Sequence, residues 1–372
     1  MRDRGEFLAA RMADMGLAVT VRDVHDGRLN VLATLPGHDM GLAHATGLLF
    51  HGHTDTIPFL DMANPLSGQV KEGHIWGRGS VDQKGGLAAA IMAVQALARA
   101  RVPLRKAVAI AAVVDEESEH RGSYALVDDG LPAECAIVTE PSDLSLIVGC
   151  KGTVPARIAL QGRLAHGSTP WLGISAIEHA ARVVQALGRI EPRAVDVPGV
   201  GRIRGSANVG LIRGGTAYNN VADRCELWLD RRTVPGESQA SVLAEIQAIF
   251  DDLAAAGPTI RGQVDVARPD WKWQRIRQRG LNPAATLGDN PLTAAVGEAH
   301  RQVTGSVPEV AYSDGYLDMD FLVNDLGIPT INYGSGEESL CHTAEGRLRV
   351  AQLLAATRVY AKAALALCGG GD

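Results

Sequence analysis

The sequence predicts an α/β protein with a smaller α+β unit inserted into it. Three observations carry this. Short apolar runs alternate with helical patterns over the first 150 residues. The texture changes near Gly152 to the order βαββαβ, and a helix–strand–helix pattern resumes from about Pro291. The composition agrees: 46% hydrophobic residues supply a core, while 42 glycines and only 4% aromatics suit helices packed closely on a sheet. At 372 residues, one large or two ordinary domains are expected.

Taken in order, the N-terminal MRDRGEFLAARMADMG carries charges throughout and lacks the apolar centre of a secretory signal. Residues 47–51 (GLLFH) and 107–114 (AVAIAAVV) read as buried strands, with a small-residue helix over 86–100 between them. Residues 136–139 and 144–148 read as further strands. The next block gives a strand at 154–160, a helix at 174–187, strands at 206–212 and 224–231, an amphipathic helix at 238–255 and a strand at 263–267. That order fits a ferredoxin-like insert. A helix from Pro291, a strand at 328–333 and a closing helix at 348–367 return the chain to the first unit, and the terminal GGGD reads as a frayed tail. The expected division is therefore a discontinuous domain of residues 1–151 and 267–372, with 152–266 inserted.

Charge and cysteine usage exclude several classes. Lys and Arg number 36 against 42 Asp and Glu, a net charge of -6, which leaves no basic surface for nucleic acid. No stretch approaches ~20 uninterrupted apolar residues, so no membrane span is expected. Cys135, Cys150, Cys225, Cys341 and Cys368 lack CxxC spacing. They argue against a disulfide framework or a thiolate zinc site and favour a reducing, cytoplasmic compartment.

The chemistry-bearing residues follow strand-like runs, where open α/β sheets place their sites. They are His53 and Asp55 (GHTDTIP), Asp82 (GRGSVDQKGG), Glu116 and Glu117 (VVDEES), Glu140 (IVTEP) and His342 (GSGEESLCHTAE). Two imidazoles and three carboxylates suffice for two divalent cations with one carboxylate shared. Glu116 is then left over beside a ligand, as activation of a water requires. Oxygen and imidazole donors without thiolate suit Zn²⁺, with Co²⁺ or Mn²⁺ as alternatives.

These motifs, in this order, resemble the dinuclear zinc hydrolases that include acetylornithine deacetylase, succinyl-diaminopimelate desuccinylase, aminoacylase and glutamate carboxypeptidase. The resemblance implies a mixed-sheet catalytic domain with helices on both faces and an inserted ferredoxin-like dimerisation or lid domain. It implies that His53 and Glu140 hold one metal, that Glu117 and His342 hold the other, and that Asp82 bridges them. Asp55 would orient His53, and Glu116 would be the general base. His166 (GRLAHGSTP) would reach the partner subunit's site and polarise the scissile carbonyl. Asn220 (AYNNVAD) and Arg232 (LDRRTVPGE) would bind the carboxylate or acyl end of the substrate. The chain departs from the family in three places. It begins close to His53, so the family's first helix is expected to be shortened or absent. Ala222 and Asp223 replace the proline after the Asn-Val pair, and residues 268–279 are unusually rich in Trp and Arg.

The expected activity is two-metal hydrolysis of a small N-acyl amino acid of the deacetylase or desuccinylase type, by a homodimer, with a water shared by the metals as nucleophile. A dipeptidase or carboxypeptidase on the same machinery is the near alternative. A carbamoyl-amino-acid amidohydrolase and a metal-free binding homologue are the further ones, the last opposed by the completeness of the ligand set.

Overall fold

The computed structural model describes residues 2–38, 46–255, 261–268 and 271–370. Nine strands among these residues form one mixed sheet. Across it run Ala18–His25, Arg28–Leu35, Ala107–Val113, Thr46–His53, Ala136–Val138, Thr330–Asn332, Leu146–Cys150 and Ala284–Ala285, with Val310–Ser313 also paired to Leu146–Cys150. The four strands from Ala107–Val113 to Thr330–Asn332 are mutually parallel, so their carboxyl ends open on one edge.

Alternation along each strand decides which helices cover it. Leu48, Phe50, Val108, Ile110 and Ile137 enter one core with the helices Gly85–Ala100, Pro291–Thr304 and Val350–Cys368. Leu49, Ala109, Ala111, Ala136 and Val138 enter another with Leu126 of the helix Arg121–Asp129 and with Met319 and Leu322. Helices therefore lie on both faces. Val350–Cys368 is long and apolar enough to cross a membrane by length and composition, yet Ala356, Val359, Tyr360 and Ala363 are packed in the first core. The helix Gly85–Ala100 approaches the sheet closely because of its glycines: a Cβ on Gly86 would lie 1.9 Å from the Thr139 carbonyl oxygen. This contact sets the loop bearing Asp82 against the strand end bearing Glu140.

Several expectations are corrected. A first helix is present, Arg2–Asp14, which removes the expectation of an absent one but not of a shortened one. It is followed by the hairpin Ala18–His25 and Arg28–Leu35, which the apolar-run reading passed over because its outer strand intersperses four polar residues among its apolar ones and none of it is buried. The overlooked signal was Asp26-Gly27, both at positive φ (49° and 73°), as a two-residue hairpin turn requires. The strand expected from 144 starts at Leu146, because Asp143 and Leu144 turn at φ 52° and 63°. The helix expected from 174 starts at Ala176, where the Ser175 hydroxyl accepts the Glu178 N–H. The last two residues of the GGGD tail lie outside the described residues, as do Pro269 and Asp270 of the 268–279 segment.

A second, antiparallel sheet has the order Ser206–Gly214, Arg224–Thr233, Gly152–Gln161, Arg261–Val266. One face packs Val154, Ala156, Ile158, Leu227 and Leu229 against the helices Ala176–Leu187 and Gln239–Ala255. The other face turns Thr153, Pro155, Trp228, Asp230 and Arg232 towards a cavity shared with the first sheet. The hairpin Ala194–Val197 and Gly201–Arg204 leaves this sheet, and its Val197 sits in the first core.

Candidate active site

Each adjacent parallel strand delivers its functional residue just at or past its carboxyl end. Thr46–His53 ends on His53, Ala107–Val113 leads to Glu116 and Glu117, and Ala136–Val138 leads to Glu140. Asp82 comes from the turn before Gly85–Ala100, and His342 from the loop after Thr330–Asn332. Asp82, Glu116, Glu117, Glu140 and His342 line a cavity of about 790 Å³ together with several second-sheet residues, while His53 is buried at its edge.

The side chains converge as a ligand set does. His53 Nε2 lies 3.2 Å from Glu140 Oε1 and 3.3 Å from Asp82 Oδ1, with Glu116 Oε2 farther off at 3.9 Å. His342 Nε2 lies 3.2 Å from Asp82 Oδ2 and 3.1 Å from Glu117 Oε2. The two oxygens of Asp82 thus face different imidazoles. Donor atoms of His53, Asp82 and Glu117 lie within 4.8 Å of one another, as do those of His53, Glu116 and Glu140. His53 Nε2 is fully buried and has no hydrogen-bond partner among the described residues. An orphaned, buried imidazole nitrogen amid carboxylates fits a cation at their common centre better than it fits a network of side chains.

Asp55 organises the site from behind. Its carboxylate accepts the N–H groups of Glu116 (3.3 Å) and Glu117 (3.2 Å), fixing the loop that carries both. His53 Nδ1 lies 3.1 Å from the Asp55 carbonyl oxygen and 3.5 Å from its carboxylate, so the backbone is the nearer acceptor. Gln83 donates to Glu140.

The electrostatics show the strain of so many acids in one place. Burial pushes the Glu140 carboxyl up to about 7 against the pull of His53. Burial, opposed by His53 and reinforced by Asp318, Glu140 and Glu117, pushes Glu116 well above the carboxylate range. Asp82 goes the other way: burial opposes its charge, but His342 and His53 hold it well below its ordinary value. His342 is raised to about 10 by Asp82 and Glu117. Cys341 lines the cavity, and burial raises its thiol, which suits a packed thiol rather than a thiolate ligand.

The remaining expected residues fall in two places. Arg232 lines the cavity and pairs with Asp230 at 3.0 Å. Arg231, one position away and on the opposite face, is 1% exposed and bound to Glu237 and Glu245. His166 and Asn220 pair with each other across a two-strand ladder. His166 is exposed, with Nδ1 2.7 Å from the Ser168 hydroxyl, and neither it nor Asn220 lines the cavity.

Other residues here had no role in the sequence reading. His120 lines the cavity; its Nδ1 is 2.8 Å from Asp318 and 4.0 Å from Glu116. Asp318 also accepts the Ser123 hydroxyl at 2.6 Å, which lies 3.2 Å from His51 Nε2. This buried polar chain joins residues up to 198 positions apart, a separation that gives no local signal.

The description "Peptidase family M20/M25/M40" matches residues 49–366. The chain belongs to this family. It is a hydrolase of amide or peptide bonds. It is 27% identical over 384 residues to the N-formyl-4-amino-5-aminomethyl-2-methylpyrimidine deformylase of Bacillus subtilis, covering 97% of this chain and 88% of the relative. It is 29% identical over 353 residues to the acetylornithine deacetylase of Myxococcus xanthus, covering 92% and 85%. In structure it is similar to an M20 family metallo-carboxypeptidase from Sulfolobus solfataricus, with TM-score 0.79, 18% identity, and coverage of 98% and 93%.

Proposed function

We propose that this chain is a two-metal amidohydrolase that removes a small acyl group from the nitrogen of an amino acid or similar amine. The observation that carries the metal chemistry is the orphaned His53 Nε2 ringed by carboxylates, with Asp82 turned to both imidazoles. His53 and Glu140 would hold one cation, Glu117 and His342 the other, and Asp82 would be shared. When bound, two divalent cations, Zn²⁺ first and Co²⁺ or Mn²⁺ as alternatives, supply Lewis acidity at adjacent points. Glu116 takes a proton from the attacking water and passes it to the leaving nitrogen. Asp55 holds Glu116 and Glu117 in register through their N–H groups. Arg232 offers a planar fork for a substrate carboxylate, which Lys would match poorly. The small acyl group is favoured by the deformylase and deacetylase relatives, each matched over most of both chains. A dipeptidase on the same machinery is the second reading.

Residues 152–266 act in this proposal as a dimerisation and lid domain on a catalytic domain of 1–151 and 267–372. Leu164, Trp171, Leu172, Ile174 and Tyr218 are exposed close in sequence to His166 and Asn220, an apolar surface suited to a second copy. Across that interface His166 would polarise the scissile carbonyl in the partner's cavity, and Asn220 would bind substrate there. All five cysteines are free, which supports the cytoplasm as the compartment.

The test is elemental analysis together with amine release from a panel of N-formyl, N-acetyl and N-succinyl amino acids and dipeptides after Zn²⁺, Co²⁺ or Mn²⁺ addition. Two metals per chain with acyl-amine turnover is expected. Turnover of dipeptides alone would select the second reading, and no metal with no turnover would remove both.

A further inference from the structure

A buried polar chain beside Glu116 has no part in the proposed hydrolysis. It starts at His120, the residue before the helix Arg121–Asp129. His120 takes the left-handed backbone conformation, φ 54°, which a glycine adopts at less cost. Its side chain makes no capping bond to that helix. Instead the ring joins the cavity wall, 3% exposed, with the rings of Tyr316 and Phe321 centred 5.2 and 5.9 Å from it. Nδ1 lies 2.8 Å from Asp318 Oδ1, and Asp318 Oδ2 accepts the Ser123 hydroxyl at 2.6 Å. Donor atoms of Glu116, His120 and Asp318 lie within 4.8 Å of one another, as in a cation site. Both oxygens of Asp318 are already engaged, however, so the group is a chain of hydrogen bonds rather than a third metal centre.

This pairing decides what the ring shows the cavity. Burial opposes the charge on Asp318, but His120, His51 and Ser123 hold its carboxyl below its ordinary value. A carboxylate only accepts, so Nδ1 carries the proton and donates it. In the neutral ring Nε2 is then a bare acceptor, open to the cavity and without a partner among the described residues. The groups nearest Glu116 are few. His53 and Glu140 belong to the proposed cation set, whereas His120, with Nδ1 4.0 Å from Glu116 Oε1, does not. In the proposed reaction Glu116 returns a proton to the leaving nitrogen. Once water has added to the amide carbon, that nitrogen carries one hydrogen and one lone pair, and the lone pair must face Glu116. The N–H must point elsewhere, and an acceptor beside Glu116 holds the nitrogen in the orientation that can be protonated.

We infer that His120 orients the substrate: its Nε2 accepts the N–H of the scissile amide and so turns the nitrogen lone pair towards Glu116. His120 neither gives nor takes a proton in this step, which Glu116 alone performs. Asp318 is a positioning residue that fixes the tautomer of His120. Ser123, 3.2 Å from His51 Nε2, keeps that carboxylate in place. The inference rests on the amidohydrolase reading for the reaction, but not for the tautomer or the contact. It makes the site selective for amides over esters of the same shape. An ester oxygen has no hydrogen to give and would leave Nε2 facing another lone pair.

The test compares N-acetylalanine with its ester counterpart O-acetyl-lactate on the metal-loaded enzyme. His120→Phe keeps a ring and removes the acceptor, and should lower the amide-to-ester ratio of kcat/KM by about tenfold, the effect of stranding one donor. His120→Gln retains an acceptor and should recover part of the ratio. Asp318→Asn can donate to Nδ1, which moves the ring proton to Nε2, and should lower the ratio through kcat more than KM. Equal losses on both substrates, whatever happens to Tm, would make the chain structural and overturn the inference. So would a third metal per chain that His120→Phe removes. If neither substrate is cleaved, nitrogen NMR of the imidazoles decides, with His120 assigned by its absence in His120→Phe. A His120 Nε2 resonance shifted by N-acetylalanine and not by O-acetyl-lactate keeps the contact while the amidohydrolase reading falls. Equal shifts with both, or none with either, overturn the contact as well.

Discussion

Glu116→Gln separates a base from a ligand. The two shapes are nearly the same, so the change removes charge and proton exchange and little else. Glu116 stands 3.9 Å from His53 Nε2, whereas Glu140 and Asp82 stand at 3.2 and 3.3 Å, which sets it just outside the metal-holding contacts. The variant should therefore keep two metals per chain. A positioned general base is worth ~10²–10⁴ in rate, so kcat should fall by that factor, with KM changing far less. The metal-free protein gives an independent reading. In the folded chain the Glu116 carboxyl is raised well above its ordinary 4.5. A raised carboxyl costs nothing below the unfolded value, and it loses stability as pH climbs towards the folded value, by about 1.4 kcal/mol per pH unit across that window. Glutamine does not titrate. Metal-free Glu116→Gln should thus be more stable than the wild type at neutral to alkaline pH, and the advantage should shrink when pH falls below the carboxylate range. The assays are elemental analysis, steady-state kinetics and denaturant melts at several pH values. Metal content falling to one per chain, or kcat within a few-fold of wild type, would refute the assignment.

Three more outcomes are expected. His342 is raised to about 10, Glu140 to about 7, and His53 is also raised, so metal ligation works against protons held by the ligand set. Metal uptake in weak buffer should release protons, and affinity should rise with pH; affinity flat from about pH 6 to 9 would contradict the ligand set. Arg231→Ala should destabilise the fold by about 3 kcal/mol, since it strands Glu237 without its buried partner. Arg232→Ala should instead leave Tm nearly unchanged and raise KM for carboxylate-bearing substrates, and a reversal of the two phenotypes would exchange their roles. His166→Ala should be inactive alone yet regain partial activity in mixed dimers with Glu116→Gln, given subunit exchange; no rescue under demonstrated exchange would argue against a shared site.

Much of the candidate cluster was legible because His53, Glu116, Glu117 and Glu140 each end or closely follow a strand whose apolar run is unmistakable. Ala107–Val113 is buried along nearly its whole length, so an Asp-Glu-Glu run directly behind it can only sit at a strand end. The same logic located His53 and Glu140. It failed where polar residues break up the apolar ones, as in the hairpin strand Ala18–His25, and where a turn rather than a run sets the boundary, as at Leu144. It could not find Asp318, which acquires its meaning from His120 and Ser123, nearly 200 residues earlier.

His166 poses a different problem, because its motif points to an active site while its position in space lies outside this chain's cavity. Its motif is intact, yet the side chain is exposed and sits beside Asn220 rather than in the cavity. Both residues lie on a short ladder at the end of the second sheet away from its own cavity-facing set of Trp228, Asp230 and Arg232 in sequence and pairing. Strand alternation alone explains why Arg232 serves this chain's cavity and Arg231 its core. No such local rule explains two polar residues held together in solvent among exposed Leu164, Trp171 and Tyr218. An apolar surface that holds donors at its centre gains from being covered, whereas one without them is better replaced by polar residues. A second copy would cover the surface and complete the donor set of the neighbouring cavity in a single step. That coupling makes dimerisation a condition of catalysis in the proposed mechanism. Dilution below the dimer dissociation constant should then abolish turnover while the metals stay bound.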